Sequence, residues 1–433
     1  MSNTATLIDN LKAEFQLEGN SALKSIKQTA WNTFETLGFP TVKNEEFKYT
    51  NFIPATKSNF TLQAKNSISL ADFNSIELVK EEANVLVFVN GIFNTKLSNI
   101  ISSKEEVYIA TLAEALTDSK EEALITQHFA QYSNNISDAF TALSTALAKD
   151  GVYIHVAPNK VVSKPIVLYF IADTYAEEVF SQPRNLFIFD KNSQATIVES
   201  FTSFGNKVSF NNIVTEITVA KDAIIDYYKI QNENEKAYHV GTTQVNQKGN
   251  SVFNAVTVTL NGAIVRNNLN VVLDEEHVEA NLFGLFLPSG NTHVDNHTIV
   301  DHAKPHCNSN ELYKGVLDGK STGVFNGKIF VRKDAQKTNA FQSNKSILLS
   351  DEATINTKPQ LEIFADDVKC SHGATSGQLD AESLFYLRSR GLSEKSAKAM
   401  LVYAFASDVL SNIKIESLKL NLEHKIAEKL AVN

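Results

Sequence analysis

Gln194-Ala-Thr-Ile-Val198 is the stretch that decides the fold of this sequence, because its pattern of a polar turn residue and an alternating strand recurs. Copies begin at Asp222, Asn250 and His277, at spacings of 28, 28 and 27 residues. A period in the twenties is typical of one rung, meaning one full turn, of a parallel β-helix, whose rungs pack on one another. The repeat is loose and leaves a large β-sandwich open as the alternative. Two further copies are expected, at Lys320 and Glu352.

Outward from the repeat, short runs rich in β-branched and aromatic residues, such as Val152–Val156 and Ile213–Val219, indicate strands. Before them, apolar residues recur at three- and four-residue steps, as in amphipathic helices. After them, Asp380 is a predicted N-cap, Gly391 a predicted helix end and Ser393 the start of the next helix. The sequence therefore predicts a mainly β chain with three parts. These are a helical or mixed domain over residues 1–150, a β core over 151–368 and a helical domain over 369–433.

The composition argues against several classes of protein. The 433 residues carry a net charge of −9 with no cluster of Lys or Arg, which disfavours nucleic acid as a partner. The first ten residues are polar and acidic, unlike a signal peptide, and no apolar run is long enough to span a bilayer. Cys307 and Cys370, the two cysteines, are too few for a disulfide framework. We expect a cytoplasmic protein that binds neither nucleic acid nor membrane.

Two kinds of enzyme are not favoured. Gly315-Val-Leu-Asp-Gly-Lys-Ser321 resembles a phosphate loop, but three residues and not four separate its glycines. It also lies between predicted strands, where no helix N-terminus receives a phosphate, so an Asp-Gly turn is the better interpretation. Some β-helix proteins bind glycans, but a glycoside-cleaving enzyme needs export and paired carboxylates, and neither is visible. We expect no ATP hydrolysis by this chain alone.

The densest group of metal-ligating side chains lies within fifteen residues of the β core. Its first three members alternate along a predicted strand and so share one face. Imidazoles with a thiolate suit zinc or iron, which leaves a stand-alone metalloenzyme open. Histidines that serve the structure or an interface are the alternative. The members are His293, Asp295, His297, His302, His306 and Cys307, of which the last three are the weak metal candidates.

A second candidate site is the run Lys369-Cys-Ser-His-Gly-Ala-Thr-Ser-Gly377. Its two glycines and its place before the helical tail predict a loop, where functional residues are often found. Cys370 and His372 are two residues apart, so they could form one edge of a metal site, or the imidazole could activate the thiol. A tight connector with an incidental cysteine is the alternative.

Several long motifs together resemble the SufB/SufD family of iron–sulfur cluster assembly proteins. The match covers most of the chain and includes a C-terminal signature, Val368–Asp380 followed by Leu384–Gly391. Phe47 stands where the N-terminal motif of the family usually has tryptophan. The other matching segments are Gly38–Thr50, His302–Gly315 and Leu348–Ile363.

The resemblance implies a right-handed parallel β-helix core flanked by helical N-terminal and C-terminal parts. It also implies a non-catalytic scaffold subunit that pairs with a SufB-like paralogue through the β-helix. An ABC-type ATPase, SufC, would dock on the C-terminal helices and hydrolyse the ATP. Whether the chain forms a homodimer in isolation stays open.

Two positions favour the SufD-like branch of the family. SufB-like chains carry a cysteine where this sequence has Asn344. They also tend to have glutamate after the histidine of the C-terminal signature, where this chain has Gly373.

The resemblance further implies which residues act. His372, with Cys370 as a weaker candidate, would help to build a nascent cluster, or acquire iron, at the interface with SufB. The cluster or iron would be transient, a reduced flavin in the complex is left open, and no cofactor is expected to bind the isolated chain tightly. The candidates for docking SufC are Leu384, Phe385, Arg388, Arg390 and Gly391.

Overall fold

Two parallel sheets, wound from one chain into a β-helix of about eight rungs, form the centre of the molecule. The structure is a computed structural model that describes residues 3–16, 23–62, 64–133 and 138–432. Along the core the chain passes from one sheet to the other and back, so each rung adds one strand to each sheet. The parallel β-helix predicted from the repeat is confirmed, and the β-sandwich is excluded because neighbouring strands of the core run parallel.

The strands are numbered in chain order. The first sheet contains β1 (Asn84–Val89), β2 (Ile92–Phe93), β5 (Ile166–Thr174), β8 (Gln194–Gly205), β10 (Ile224–Asn232), β12 (Val252–Asn261), β14 (Glu279–Phe286), β16 (Asn308–Leu317), β18 (Asn339–Leu348) and β20 (Lys369–Gly377). The second sheet contains β3 (Tyr108–Thr111), β4 (Val152–Val156), β6 (Val179–Ser181), β7 (Arg184–Phe189), β9 (Ser209–Val219), β11 (Ala237–Gln247), β13 (Ile264–Leu273), β15 (His293–His302), β17 (Thr322–Val331) and β19 (Thr354–Ile363).

The helices lie at the two ends of the sequence. The N-terminal part contains α1 (Asn3–Gln16), α2 (Lys24–Leu37), α3 (Leu70–Ile76), α4 (Leu112–Ala115), α5 (Ser119–His128) and α6 (Ala139–Ala146). The C-terminal part contains α7 (Ala381–Ser389), α8 (Glu394–Leu410) and α9 (Glu416–Val432). Within the described ranges, none of these helices is both long enough and apolar enough to cross a membrane.

Each strand of the first sheet from β8 to β18 follows a turn that contains one residue with positive φ. The prediction that the first-sheet repeat has two further copies, at Lys320 and Glu352, is wrong, because the strands that follow these residues are β17 and β19 of the second sheet. Polar turns and alternating strands occur in both sheets, so the sequence pattern alone does not assign a strand to its sheet. The residues with positive φ are Asn192, Asp222, Asn250, His277, His306 and Lys337.

Helices cover the outer faces of both sheets, and the apolar core lies between the sheets. On the first sheet, Val402 of α8 packs in one cluster with Val256 and Leu285. On the second sheet, Phe140 of α6 contacts Phe210 of β9, with ring centroids 5.8 Å apart. Strands β4 and β5 are buried on both faces and carry almost continuous apolar runs, whereas exposed or half-buried residues alternate with buried ones along most of β18.

The observed boundaries differ from the predicted ones at both ends of the core. Strands β1, β2 and β3 come from the N-terminal 150 residues, yet they extend the two sheets. At the other end, Lys369–Gly377 is β20 and not a loop, so the helical part begins at Ala381 and not at residue 369. The polar, glycine-rich sequence of β20 has little strand propensity of its own, and pairing with β18 decides its conformation.

The predicted helix ends of the C-terminal part are confirmed. The carboxylate of Asp380 accepts a hydrogen bond from the backbone N–H of Ser383 at 2.7 Å, as an N-cap does. Gly391 follows the C-cap of α7 with a φ of 90°, a conformation that favours glycine. Ser393 caps α8 by accepting a hydrogen bond from the N–H of Ser396.

Candidate functional site

Both sheets end in a strand with a free edge at the C-terminal end of the β-helix. Among the described residues, β20 pairs only with β18, and β19 pairs only with β17. Every residue of β20 from Ser371 to Gly377 is exposed. A free edge presents N–H and C=O groups that another strand can bind. The free edges of β19 and β20 are called the open end below.

His372 and Cys370 lie on β20 at the open end. They are in register with Gln342 and Ala340 of β18, whose side chains are buried between the sheets. Both candidates therefore lie on the inner face of the last rung. His372 is exposed and Cys370 is half-buried. Burial raises the pKa of the Cys370 thiol, so the environment does not favour the reactive thiolate.

A buried polar pair lies behind His372. The Nε2 group of Gln342 donates a hydrogen bond of 2.7 Å to Oε2 of Glu311 on β16. Glu311, Gln342 and His372 occupy one register position on three neighbouring strands. Burial raises the pKa of Glu311 to about 7. Sequence reasoning missed Glu311 and Gln342, because their alignment with His372 becomes visible only once the strand register is known.

The alternating residues of β15 fasten an N-terminal segment to the second sheet. Thr50 donates a hydrogen bond of 2.5 Å to Asp295, and its hydroxyl lies 2.9 Å from Nε2 of His293. Asp295 also contacts Arg266 at 2.9 Å and His297 at 3.0 Å. Burial alone would raise the pKa of Asp295, but His297 and Arg266 hold it well below its usual range. His293, Asp295 and His297 therefore have a structural role here.

The N-terminal motif that carries the family resemblance lies against the same face. The guanidinium of Arg266 lies 4.1 Å from the ring centroid of Phe47, which is buried. A cation over an aromatic face is satisfied by phenylalanine or tryptophan. Glu45 forms an ion pair of 2.8 Å with Lys358 of β19. The motif thus fastens the N-terminal part across several rungs, and this explains why one aromatic residue replaces another at position 47.

His302, His306 and Cys307 each have a different partner. His302 is buried on β15, with Nε2 2.9 Å from the hydroxyl of Ser309, and burial lowers its pKa to about 4. The Cys307 thiol donates to the carbonyl oxygen of Glu275 at 3.1 Å, and burial raises its pKa. His306 lies in a turn, stacked on His277 with ring centroids 5.1 Å apart. Nowhere in the described ranges are three or more His, Cys, Asp or Glu side chains placed to hold a metal ion.

Helix α7 and the adjoining face of α8 form an exposed apolar surface, called the α7–α8 surface below. In the part of the chain that the structure describes, α7 buries none of its residues. Phe385 is 74% exposed and Met400 is 55% exposed. Clustered exposed apolar side chains of this size mark interaction sites. Of the predicted docking residues, Leu384 is half-buried, and Phe385, Arg388, Arg390 and Gly391 are exposed.

Comparison with known families agrees with this architecture. Residues 170–405 match the SufBD core domain of the SUF system for FeS cluster assembly, and residues 3–168 match the SufBD N-terminal region. The chain belongs to the SufBD family. The matched core domain includes both the open end and α7.

Curated relatives extend over almost the whole chain. SufD of Escherichia coli is 30% identical, with 99% of this chain and 98% of the relative covered. An iron–sulfur cluster assembly SufBD family protein of Synechocystis is 31% identical, covering 94% of this chain and 92% of the relative. SufD of Bacillus subtilis is 25% identical, with 94% of each covered. The chain is a SufD homologue in a family of assembly scaffolds, which is not a known enzyme family.

Proposed function

We propose that this chain is a non-catalytic scaffold subunit that pairs with a SufB-like paralogue through the open end of the β-helix. The observation that carries this proposal is that, among the residues that the structure describes, both sheets stop at strands, β19 and β20, whose outer edges are unpaired. A paralogue with the same fold would present matching parallel strands, and sheets can continue from one chain into another by main-chain hydrogen bonds. Such pairing would cover the exposed residues of β20.

The substrate of this interface is a nascent iron–sulfur cluster or iron, to which His372 contributes one ligand. A neutral imidazole binds iron, and mixed Cys/His ligation occurs in iron–sulfur centres. His372 and Cys370 alone are too few to hold a cluster, so the remaining ligands come from the paralogue. An interface site of this kind releases its cargo when the two chains separate. Iron acquisition at the same place would use the same imidazole.

The α7–α8 surface is proposed to dock a SufC-like ATPase. Phe385, Tyr386 and Met400 are exposed apolar or aromatic side chains on this surface, and Arg390 stacks over Tyr386 at 5.2 Å. Exposed aromatic and Arg side chains are typical anchors of protein interfaces. We assign ATP hydrolysis to the partner, because in this chain Gly315–Leu317 are the end of β16 and Asp318–Ser321 form the turn to β17, where no helix N-terminus is present to bind a phosphate.

The test is co-expression with the SufB-like and SufC-like proteins of the same organism, followed by size exclusion with mass determination. We expect a complex of one SufB-like chain, two SufC-like chains and this chain. Elution of this chain alone would contradict the proposal.

Two variants test which partner binds the open end and which binds the α7–α8 surface. The backbone N–H of Lys369 donates to the carbonyl oxygen of Thr338, the residue before β18, at 2.8 Å. Successive N–H groups of a strand point alternately to its two sides, so the N–H of Ala374 faces the free edge. Ala374→Pro removes that N–H and should abolish capture of the SufB-like chain while capture of SufC is kept; Ala374→Ser is its control. Phe385→Asp should abolish capture of SufC while capture of the SufB-like chain is kept. Loss of both partners in either variant would show that the surfaces are wrongly assigned.

A further inference from the structure

Three inward-facing side chains form one polar column that leads from the interior of the β-helix to the open end. They are Glu311 on β16, Gln342 on β18 and His372 on β20, in register across neighbouring strands. Neighbouring strands are about 4.8 Å apart, so side chains on one face at the same register position lie next to each other. Glu311 and Gln342 are only 2% and 3% exposed, whereas His372 lies at the edge.

Two oxygens of this column, Oε1 of Glu311 and Oε1 of Gln342, are buried without a hydrogen-bond partner among the described residues, and the second lies on the side chain next to His372. Nε2 of Gln342 donates to Glu311 at 2.7 Å, whereas Oε1 of Gln342 is buried and has no hydrogen-bond partner among the described residues. A buried acceptor without a donor is destabilising, and native structures rarely leave one unpaired. In ladders of amides on stacked strands, each amide donates to one neighbour and accepts from the other. Gln342 lies between Glu311 on one neighbouring strand and His372 on the other. Its Nε2 group donates to Glu311, so the neighbour left to donate to Oε1 is His372, whose imidazole N–H is a suitable donor.

The opposite sheet leaves room for the Gln342 amide at a glycine. Gly327 of β17 faces this side chain, and a Cβ atom at Gly327 would lie only 2.4 Å from Nε2 of Gln342. Glycine is therefore required for the amide to occupy this position. Glu311, whose polar neighbours are Thr298 and Gln342, holds the amino group of the amide and so fixes which way its oxygen points.

We propose that Gln342 is a positioning residue for His372: its Oε1 accepts a hydrogen bond from one ring N–H, so that the other ring nitrogen is presented without a proton at the open end. Glu311 orients the amide from behind. This inference rests on the proposed function for its purpose, because a ligand for iron must offer an unprotonated nitrogen. Its geometry, however, is testable in this chain alone.

The test is NMR of the full-length chain with ¹⁵N-labelled histidine, in which the His372 signals are assigned by their absence in His372→Gln. In the wild type, one neutral tautomer of His372 should dominate. Gln342→Met removes the acceptor and should change the tautomer ratio by about tenfold toward that of an exposed imidazole. The control is Gln360→Met on β19, in register with Lys328, which should leave the ratio unchanged.

A second variant keeps the amide but removes the charge behind it. Glu311→Gln still accepts from Nε2 of Gln342, so the ratio should stay within about twofold of wild type. Any of three results would overturn the inference. The first is a mixture of exchanging His372 tautomers in the wild type, and the second is a folded Gln342→Met protein that keeps the wild-type tautomer ratio. The third is a Glu311→Gln protein whose tautomer ratio changes as much as that of Gln342→Met.

The proposed function is judged separately, by whether His372→Ala supports cluster assembly in cells that depend on this chain. Full support by His372→Ala would remove the proposed role of the imidazole even if the tautomer result holds. A wild-type tautomer mixture together with a defective His372→Ala would remove only the role of Gln342.

Discussion

At the scale of single residues, a fully buried ion pair joins the helical N-terminal part of this chain to the β-helix. Arg184 and Glu216 form a fully buried ion pair of 2.6 Å. The Glu216 carboxylate also accepts hydrogen bonds from the backbone N–H groups of Tyr132 and Ser133, at 3.0 and 2.7 Å. Breaking a buried pair of this kind costs several kcal/mol, because the remaining charge stays desolvated. These groups therefore hold loops in place and are not candidates for chemistry.

His155 should make the stability of the N-terminal attachment depend on pH. Its Nδ1 lies 2.9 Å from Glu121 and its Nε2 lies 3.1 Å from Asp190. Burial opposes protonation, but the two carboxylates outweigh it and raise the pKa above the ordinary value. The stabilisation by protonated His155 is therefore complete below the unfolded pKa of about 6.5 and is lost as pH rises through the higher folded pKa.

Urea unfolding of the wild type and His155→Gln across this pH range checks the prediction. The stability difference between the two should be about 1–3 kcal/mol below pH 6 and should shrink as pH increases. The control is His424→Gln, since the His424 side chain is 74% exposed, and its difference should stay near zero. A His155→Gln difference that is constant with pH would contradict the assignment.

At the scale of elements, β20 shows how a polar segment becomes a strand. Its side chains from Ser371 onward are exposed, and Gly373 and Gly377 have open space where a Cβ would lie. Such a segment gains little from its own burial, so backbone pairing with β18 is its main support. The same property leaves its other edge available, and this connects the local sequence to the proposed pairing.

Helix α8 is held on the first sheet by Lys314 of β16 as well as by apolar packing. The side chain of Lys314 is 3% exposed, donates to the carbonyl oxygen of Phe405 at 2.8 Å and pairs with Asp408. Lys314→Met keeps the length of the side chain but removes the charge and the donor. We expect a loss of about 1–3 kcal/mol, confined to the attachment of α8.

Hydrogen exchange of the C-terminal helices measures this effect. Faster exchange in α8 and α9 with unchanged protection of the β-helix would support the prediction. Lys320→Met is the matched control, because its ion pair with Glu352 is exposed on both sides. Equal effects of the two variants would show that Lys314 is not specific to the attachment.

At the scale of the whole molecule, a β-helix whose last strands have free edges should associate with itself when no paralogue is present. Within the described part of the chain, both sheets stop at such strands, and two copies can bury these edges against each other. We therefore expect the isolated chain to be a dimer by analytical ultracentrifugation. Ala374→Pro should raise the dissociation constant of this dimer by at least about tenfold, whereas Ala374→Ser should leave it unchanged. A dimer that survives Ala374→Pro would place the self-association elsewhere.

Much of the candidate site was accessible from the sequence, but not its arrangement. Cys370 and His372 were found because a thiol and an imidazole two residues apart stand out in a glycine-rich run. Gln342 and Glu311 carry no such signal, since each is an ordinary polar residue in an alternating strand. They join His372 only through the register of three strands that are about thirty residues apart in sequence.

The sequence by itself determined the repeat, the mainly β core, the helical ends and the caps at Asp380 and Ser393. These features follow from local periodicity and hydrogen bonding, which neighbouring residues specify. Only the tertiary structure decided that Lys369–Gly377 is a strand, and that the β15 histidines hold the N-terminal motif. It also decided which polar residues meet at the open end. Those outcomes depend on pairing and register between distant segments, whose free energies are set by contacts that no local pattern contains.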